Sequence, residues 1–176
     1  MNPRNFHLSS MPLILFLSIA TSGWAQSSAT PQPGKVGLAY WGLGYFFVAP
    51  GIYSGYSDSI GTLHIGGGGE ALVYRGLAVG AEVGCIAALQ GSGGGMGLFS
   101  ANGSYYFSRQ RKVSPFLTGG YSSVWGHGQR NLVNLGAGAN YWIRERLGIR
   151  FELRDHIYAA GSDGHLLGFR IGIIFR

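Results

Sequence analysis

The chain has 176 residues, with 32 Gly, 14 % aromatic and only 11 % charged residues, and a formal net charge of +6. That length suits one domain, and a soluble domain typically carries about 25 % charged residues and about 7 % Gly, so an ordinary soluble domain fits poorly; the many aromatics exclude the disordered class. The basic excess forms no Lys/Arg-rich run that would suggest a nucleic-acid arm, and Cys85, the single cysteine, excludes an intrachain disulfide and a lipid-anchoring Cys behind a leader.

The N-terminus reads as an export signal. Arg4 and His7 precede a short apolar run, Met11 to Ala20, and Gly23-Trp24-Ala25 sets small residues where a signal peptidase inspects the chain. Cleavage is expected after Ala25, making residues 1–25 a signal peptide. The run is about half the roughly 20 residues that a spanning helix requires. Residues 26–35, polar and containing Pro, read as a flexible connector, and 36–176 as the folded domain.

From there the chain alternates with period two, the spacing of a strand with unlike faces. A first strand is expected within Val36–Ala49, where Tyr40, Trp41, Tyr45, Phe46 and Phe47 leave its facing undefined. Seven more follow: Thr62–Tyr74, Leu77–Ala88, Gly95–Phe107, Pro115–Trp125, Leu132–Ile143, Leu147–Tyr158 and Leu166–Arg176. In each, odd positions are apolar and even positions hold the polar residues. In Leu147–Tyr158, for example, Leu147, Ile149, Phe151, Leu153 and Ile157 alternate with Arg150, Glu152, Arg154 and His156.

The joints fall into two classes. Arg75-Gly76, Ser108–Ser114 and Arg144–Arg146 are polar or basic; Pro50–Gly61, Leu89–Gly94, Gly126–Asn131 and Ala159–His165 are longer on average and rich in small or polar residues. Short turns at one end and longer loops at the other are the mark of an outer-membrane barrel, in which both termini on the periplasmic side require an even strand count. The expected fold is therefore all-β, an eight-stranded antiparallel up-and-down transmembrane β-barrel, closed, with a side-chain-filled polar interior.

The even face carries Glu70, Glu82 and Glu152 against Arg150, Arg154 and Arg170, and the only Lys residues, Lys35 and Lys112, lie outside the strand bodies. A matched Glu/Arg set suits a confined lumen, because Arg holds carboxylates in fixed geometry. These six form the expected lumen charge network, structural in role. Tyr74, Leu98, Tyr106, Phe116 and Trp142 also point inward by parity, which argues against open diffusion. On the odd face Asp155 is the one charged residue, near the outer end of its strand, and a local bulge that turned it inward would remove the conflict. Aromatics near strand ends, Trp41, Tyr74, Phe107, Trp125, Tyr141, Trp142, Tyr158 and Phe175, suit interfacial girdles.

The last strand, Arg170-Ile171-Gly172-Ile173-Ile174-Phe175-Arg176, looks like the C-terminal insertion signal of a known group, with Arg176 following the usual final aromatic. On this segment, and on the Glu/Arg interior, the chain resembles the small outer-membrane β-barrel proteins of Gram-negative bacteria, the OmpA/OmpX-like group. The resemblance implies location in the outer membrane and contact with its lipid and lipopolysaccharide. It also implies delivery to the barrel-assembly machinery. It transfers no functional site, because such barrels differ in their loops.

Signals of chemistry are weak. Gly66-x-Gly68-x-x-Ala71 loosely matches a dinucleotide fingerprint, but a strand follows where a helix is needed. His127, His156 and His165 lack metal-ligand spacing. A lipid A-modifying site would need Ser122 or Ser123 with His156 and Asp155. The expected function is a structural or surface-interaction barrel, serving envelope integrity or adhesion through its outer loops, without cofactor or catalysis. A lipid A-modifying enzyme and a narrow channel for small solutes are the alternatives.

Overall fold

In the computed structural model the described residues are 42–55, 59–90, 94–108, 111–126, 128–158 and 164–176. The expected signal peptide, the connector, the first residues of the expected first strand and His127 lie outside them. Eight strands are present: β1 Gly42–Ser54, β2 Ser59–Tyr74, β3 Leu77–Ala88, β4 Met96–Tyr106, β5 Val113–Trp125, β6 Gln129–Arg144, β7 Leu147–Tyr158 and β8 His165–Phe175. Each pairs antiparallel with its neighbour in sequence, and β8 pairs with β1, so the sheet closes in the order β1 to β8. Closure gives every strand two partners and leaves no open edge.

Only β3 and β7 match their expected limits; β4, β5 and β8 shift by one or two residues, β6 starts three residues early at Gln129, and the largest change is at the β1–β2 joint. β1 runs on through Pro50 to Ser54, and β2 begins at Ser59, so most of the expected Pro50–Gly61 loop is ladder. Pro50 is accommodated where β1 meets β8: pairing passes from Val48↔Ile171 to Gly51↔Gly168, with no pair at Ala49 or Pro50. The missing pair suits a residue without an N–H, and the register is the same on both sides of the gap. The connector left between β1 and β2 is residues 55–58, an even number, and Ser54 faces Ser59 across it. β1 therefore has the opposite phase to the rest. Leu43, Tyr45, Phe47 and Ala49 point inward, while Phe46 and Val48 point outward.

In β2 to β8 the even positions face the lumen. Among the buried side chains are Thr62, Glu70, Glu82, Ser100, Asn102, Asn134, Arg150, Glu152, Arg154 and Arg170, whereas Val79, Val83, Phe99, Leu117, Leu135, Leu153, Phe169 and Ile173 are exposed on the outer face. Water-soluble proteins have the reverse arrangement, and this one suits hydrocarbon outside and a polar filling within. Tyr74 departs from its expected inward facing. A register shift between Leu72 and Tyr74 precedes the turn and leaves its ring on the outside. Trp142, in contrast, is buried in the lumen and does not join an outer girdle.

Asp155 sits in no bulge. The β6–β7 and β7–β8 ladders run evenly through Leu135↔Asp155 and Asp155↔Leu167, so its carboxylate stays on the outer face. It is met there by His165, with Nδ1 to Oδ2 at 3.2 Å. A paired acid near the strand end removes the need for a backbone distortion, since the cost of charge on this face falls toward the rim.

The ends are built differently. At one end are the two-residue turns Arg75-Gly76 and Glu145-Arg146 and the connector 107–112; at the other are residues 55–58, 89–95, 126–128 and 159–164. Arg75 (φ 34°) and Gly76 (φ 98°) both take positive φ, as the tight hairpin turn with matching twist requires. Inside, an apolar plug including Leu43, Leu72, Ala78, Tyr106, Phe116, Trp142 and Ile174 fills the turn end. A second, Ile86, Leu98, Val124 and Leu132 with Met96, Tyr158 and Leu166 packed against it, fills the loop end.

Glycine makes room for these large residues. A Cβ on Gly138 would stand 2.6 Å from Cζ of Phe116 and 2.9 Å from its Cε1. Gly138→Val is therefore expected to destabilise the barrel by about 1–3 kcal/mol through overpacking. Gly103→Ala on the outer face, whose Cβ would meet nothing nearer than a carbonyl at 3.9 Å, should stay within about 0.5 kcal/mol. Urea unfolding of both variants reads the difference.

Candidate functional site

Between the two plugs lies the polar lumen. β7 supplies Arg150, Glu152 and Arg154 at successive inward positions, β8 supplies Arg170, and Glu70 and Glu82 reach across from β2 and β3. The six residues expected to form a network do meet, as one alternating chain. Glu70 binds Arg150 (Oε1 to Nη2, 3.1 Å), and Arg150 binds Glu152 (Nε to Oε2, 3.1 Å). Glu152 also accepts from Arg154 Nε, whose Nη1 reaches Glu82 Oε2 at 3.1 Å. Arg170 Nη1 closes the series on both oxygens of Glu82, at 2.8 and 2.9 Å. No member is more than 5 % exposed. Three carboxylates against three guanidinium groups balance, which is the condition for burying charge at all.

Neutral partners complete the chain. Tyr45 donates to Glu82 Oε2 at 3.2 Å, Tyr106 donates to Glu70, and Arg150 Nη1 donates to the Tyr106 hydroxyl at 3.1 Å. Arg150 is stacked between the rings of Phe116 (4.0 Å) and Tyr45 (4.6 Å), and Arg170 lies 4.3 Å from the centre of Phe47. A guanidinium plane gains from an aromatic face where water is excluded. Beside the charges runs a hydroxyl and amide layer: Asn134 Nδ2 donates to Ser122 at 2.8 Å, and Ser122 pairs with Ser100 at 2.8 Å. With its amide oriented so that the oxygen accepts from Arg154 Nη1 (3.1 Å), Asn102 links this layer to the charge chain.

Sequence parity had set Tyr106 inward but said nothing of Tyr45, because β1 had no readable phase. His64 was likewise not singled out. It packs edge-on against Phe47 (4.8 Å) and near His156 (6.5 Å). Both histidines, with Thr62, Arg154, Arg170 and Leu166, line a small void with room for about one water molecule. Nε2 of each histidine and Nη2 of each arginine have no hydrogen-bond partner in the protein, a set of donors and acceptors that one bridging water suits.

The residues considered for catalysis are not brought together. Ser122 is bound to Ser100 and Asn134, and Ser123 accepts from Gln129 at 3.3 Å. His156 points into the lumen while Asp155, next to it on β7, points out and binds His165. An acid on the far side of the sheet cannot orient that imidazole, which the relay would need. No cluster of three His, Cys, Asp or Glu that could hold a metal occurs among the described residues. Gly66, Gly68 and Ala71 lie within β2, with no helix behind them to receive a phosphate.

A closed cylinder with apolar side chains outside, opposed charges inside and a plug at each end defines the architecture as a transmembrane β-barrel. No protein-family model matches the sequence, and a search of curated proteins gives no match. Among solved structures the chain is similar to neisserial surface protein A, from Neisseria, at 13 % identity over 76 % of this chain and 96 % of that one, with a TM-score of 0.62. The N-terminal β-barrel domain of Pseudomonas aeruginosa OprF matches at 15 % identity over 75 % and 97 %, TM-score 0.53. A de novo designed transmembrane β-barrel matches at 18 % identity over 76 % and 93 %, TM-score 0.50. The fold is thus that of the small eight-stranded outer-membrane β-barrels, in line with the OmpA/OmpX-like resemblance.

Proposed function

We propose that this chain is an integral outer-membrane barrel, exported by a cleaved leader at residues 1–25, with a structural or surface-interaction role in envelope integrity or adhesion. One observation carries the reading. The lumen is spent on a neutral six-charge chain capped by two apolar plugs, so the barrel offers the membrane a rigid cylinder and offers solutes no passage. Eight strands leave an interior that side chains just fill, which speaks against the narrow channel. The outward Asp155 and inward His156 speak against lipid A modification. Lipid and lipopolysaccharide around the barrel, and the assembly machinery during insertion, are the proposed partners.

A surface partner would have to engage the short connectors 55–58, 89–95, 126–128 and 159–164. The test is fractionation followed by gel migration with and without boiling. An outer-membrane fraction containing a heat-modifiable band is the expected result, and a soluble, non-modifiable protein would end the proposal. Replacing residues 159–164 by a Gly-Ser linker is expected to leave that band shift intact while weakening any adhesion. Adhesion unchanged after replacing all four connectors would rule out the surface-interaction role.

A further inference from the structure

The +6 balance of the chain has a place in the fold. At the turn end, every described connection carries or adjoins cations: Arg75 between β2 and β3, Arg111 and Lys112 between β4 and β5, Arg144 at the end of β6 and Arg146 in the turn to β7, and Arg176 after β8. Glu145 is the one acid among the described residues there. At the loop end the described residues include Arg130 and Asp155, with His165 bound to the latter.

The cations are set against aromatic side chains at the strand ends. Arg75 lies 5.3 Å from the Tyr74 ring centre and Lys112 lies 5.2 Å from Tyr141, both rings on the outer face, whereas Arg176 lies 4.3 Å from Trp142, over the lumen plug. Arg176 Nε also donates to the Glu145 carbonyl at 2.6 Å. Immediately toward the barrel middle, Leu77, Tyr105, Val113, Ile143, Leu147 and Ile173 form the exposed apolar band. The cations therefore stand just beyond the hydrocarbon-facing surface, at the depth of lipid headgroups, with stems long enough to follow the interface.

We infer that this end of the barrel is a basic collar that binds anionic phospholipid headgroups in the leaflet surrounding the turns, the periplasmic leaflet if the loops face outward. The distribution selects that partner. The cations are spread over all the described turns, so an encircling annulus of phosphates reaches each of them, whereas a rod-shaped or globular polyanion reaches one side. Charge attraction to anionic lipid decays within a Debye length, and the aromatic contacts hold the cations inside that range. The inference rests on the outer-membrane reading above.

The full chain, refolded into vesicles of phosphatidylcholine with dilute spin-labelled lipid, tests it. At low salt, spin-labelled phosphatidylglycerol is expected to associate with the barrel about threefold more strongly than spin-labelled phosphatidylcholine, falling toward equality near 0.5 M salt. Arg75→Gln with Lys112→Gln, Arg144→Gln and Arg146→Gln should remove most of the preference, each pair of substitutions removing part, and Arg130→Gln should leave it unchanged. Equal association of both lipids with the unaltered chain overturns the collar while leaving the membrane barrel standing. So does a preference that survives the fourfold variant or follows Arg130. A chain that restricts neither labelled lipid sinks the membrane reading itself, and the collar with it.

Discussion

Glu82→Ala is expected to lower the unfolding free energy of the barrel by about 3–5 kcal/mol, because it removes the partner of buried charges and leaves them uncompensated. Glu82 is 1 % exposed and accepts from Arg170, Arg154 and Tyr45 together, so its truncation strands two guanidinium groups and a hydroxyl at once. Arg170 has Glu82 as its only ion-pair partner among the described residues. Removing both, as Glu82→Gln with Arg170→Met, should therefore recover part of the loss. Arg150→Ala and Glu152→Ala should act in the same direction. Urea titration in detergent, followed by the gel shift, measures all of these. A midpoint for Glu82→Ala indistinguishable from the parent would mean that the six charges do not share a dry lumen.

The second large effect is on the outer face of the barrel, in β7. Leu153 sits between Glu152 and Arg154 in β7 but is half exposed on the outside, paired with Ala137 and Phe169. In a bilayer, Leu153→Arg should cost about 2–4 kcal/mol, whereas Tyr74→Arg, at the turn end, should cost about 0–1 kcal/mol. The depth dependence is the informative part. A soluble barrel would place both arginines in water and show neither penalty.

Seven of the eight strands could be read from the chain because their alternation holds phase through the strand bodies, slipping only beside turns as at Tyr74, and their charges other than Asp155 share one parity. The pairing of those charges could not. Glu70 and Arg150 are 80 residues apart and meet across the lumen, a contact that follows from closure of the sheet and from the stagger of its strands. β1 resisted for a different reason: Tyr45 and Phe47 fill the lumen while Phe46 faces outward, so aromatic residues occupy both faces and no period remains. Its length was obscured by Pro50 and Gly51, which in most chains mark a turn, but here sit in a strand whose ladder to β8 skips the proline. Asp155 stood out because its parity put charge on the apolar face, and the sequence left open whether a bulge turned it inward. The relief came from His165 on the neighbouring strand, and sequence distance hides that pair. Nothing in the connectors identifies a ligand, since the barrel physics fixes the strands and leaves the loops free to vary.

The most direct test uses nitroxide labels along β3, where the native Cys85 is already exposed on the outer face. Single labels at residues 81 to 87, in vesicles, report contact with oxygen dissolved in lipid and with a water-soluble nickel complex. Residues 81, 83, 85 and 87 are expected to show high oxygen and low nickel contact, while 82, 84 and 86 are shielded from both. Labels at 82, 84 and 86 surrounded by oxygen-rich lipid, or labels at the odd positions bathed in the nickel complex, would contradict a hydrocarbon-facing cylinder with its charges sealed inside.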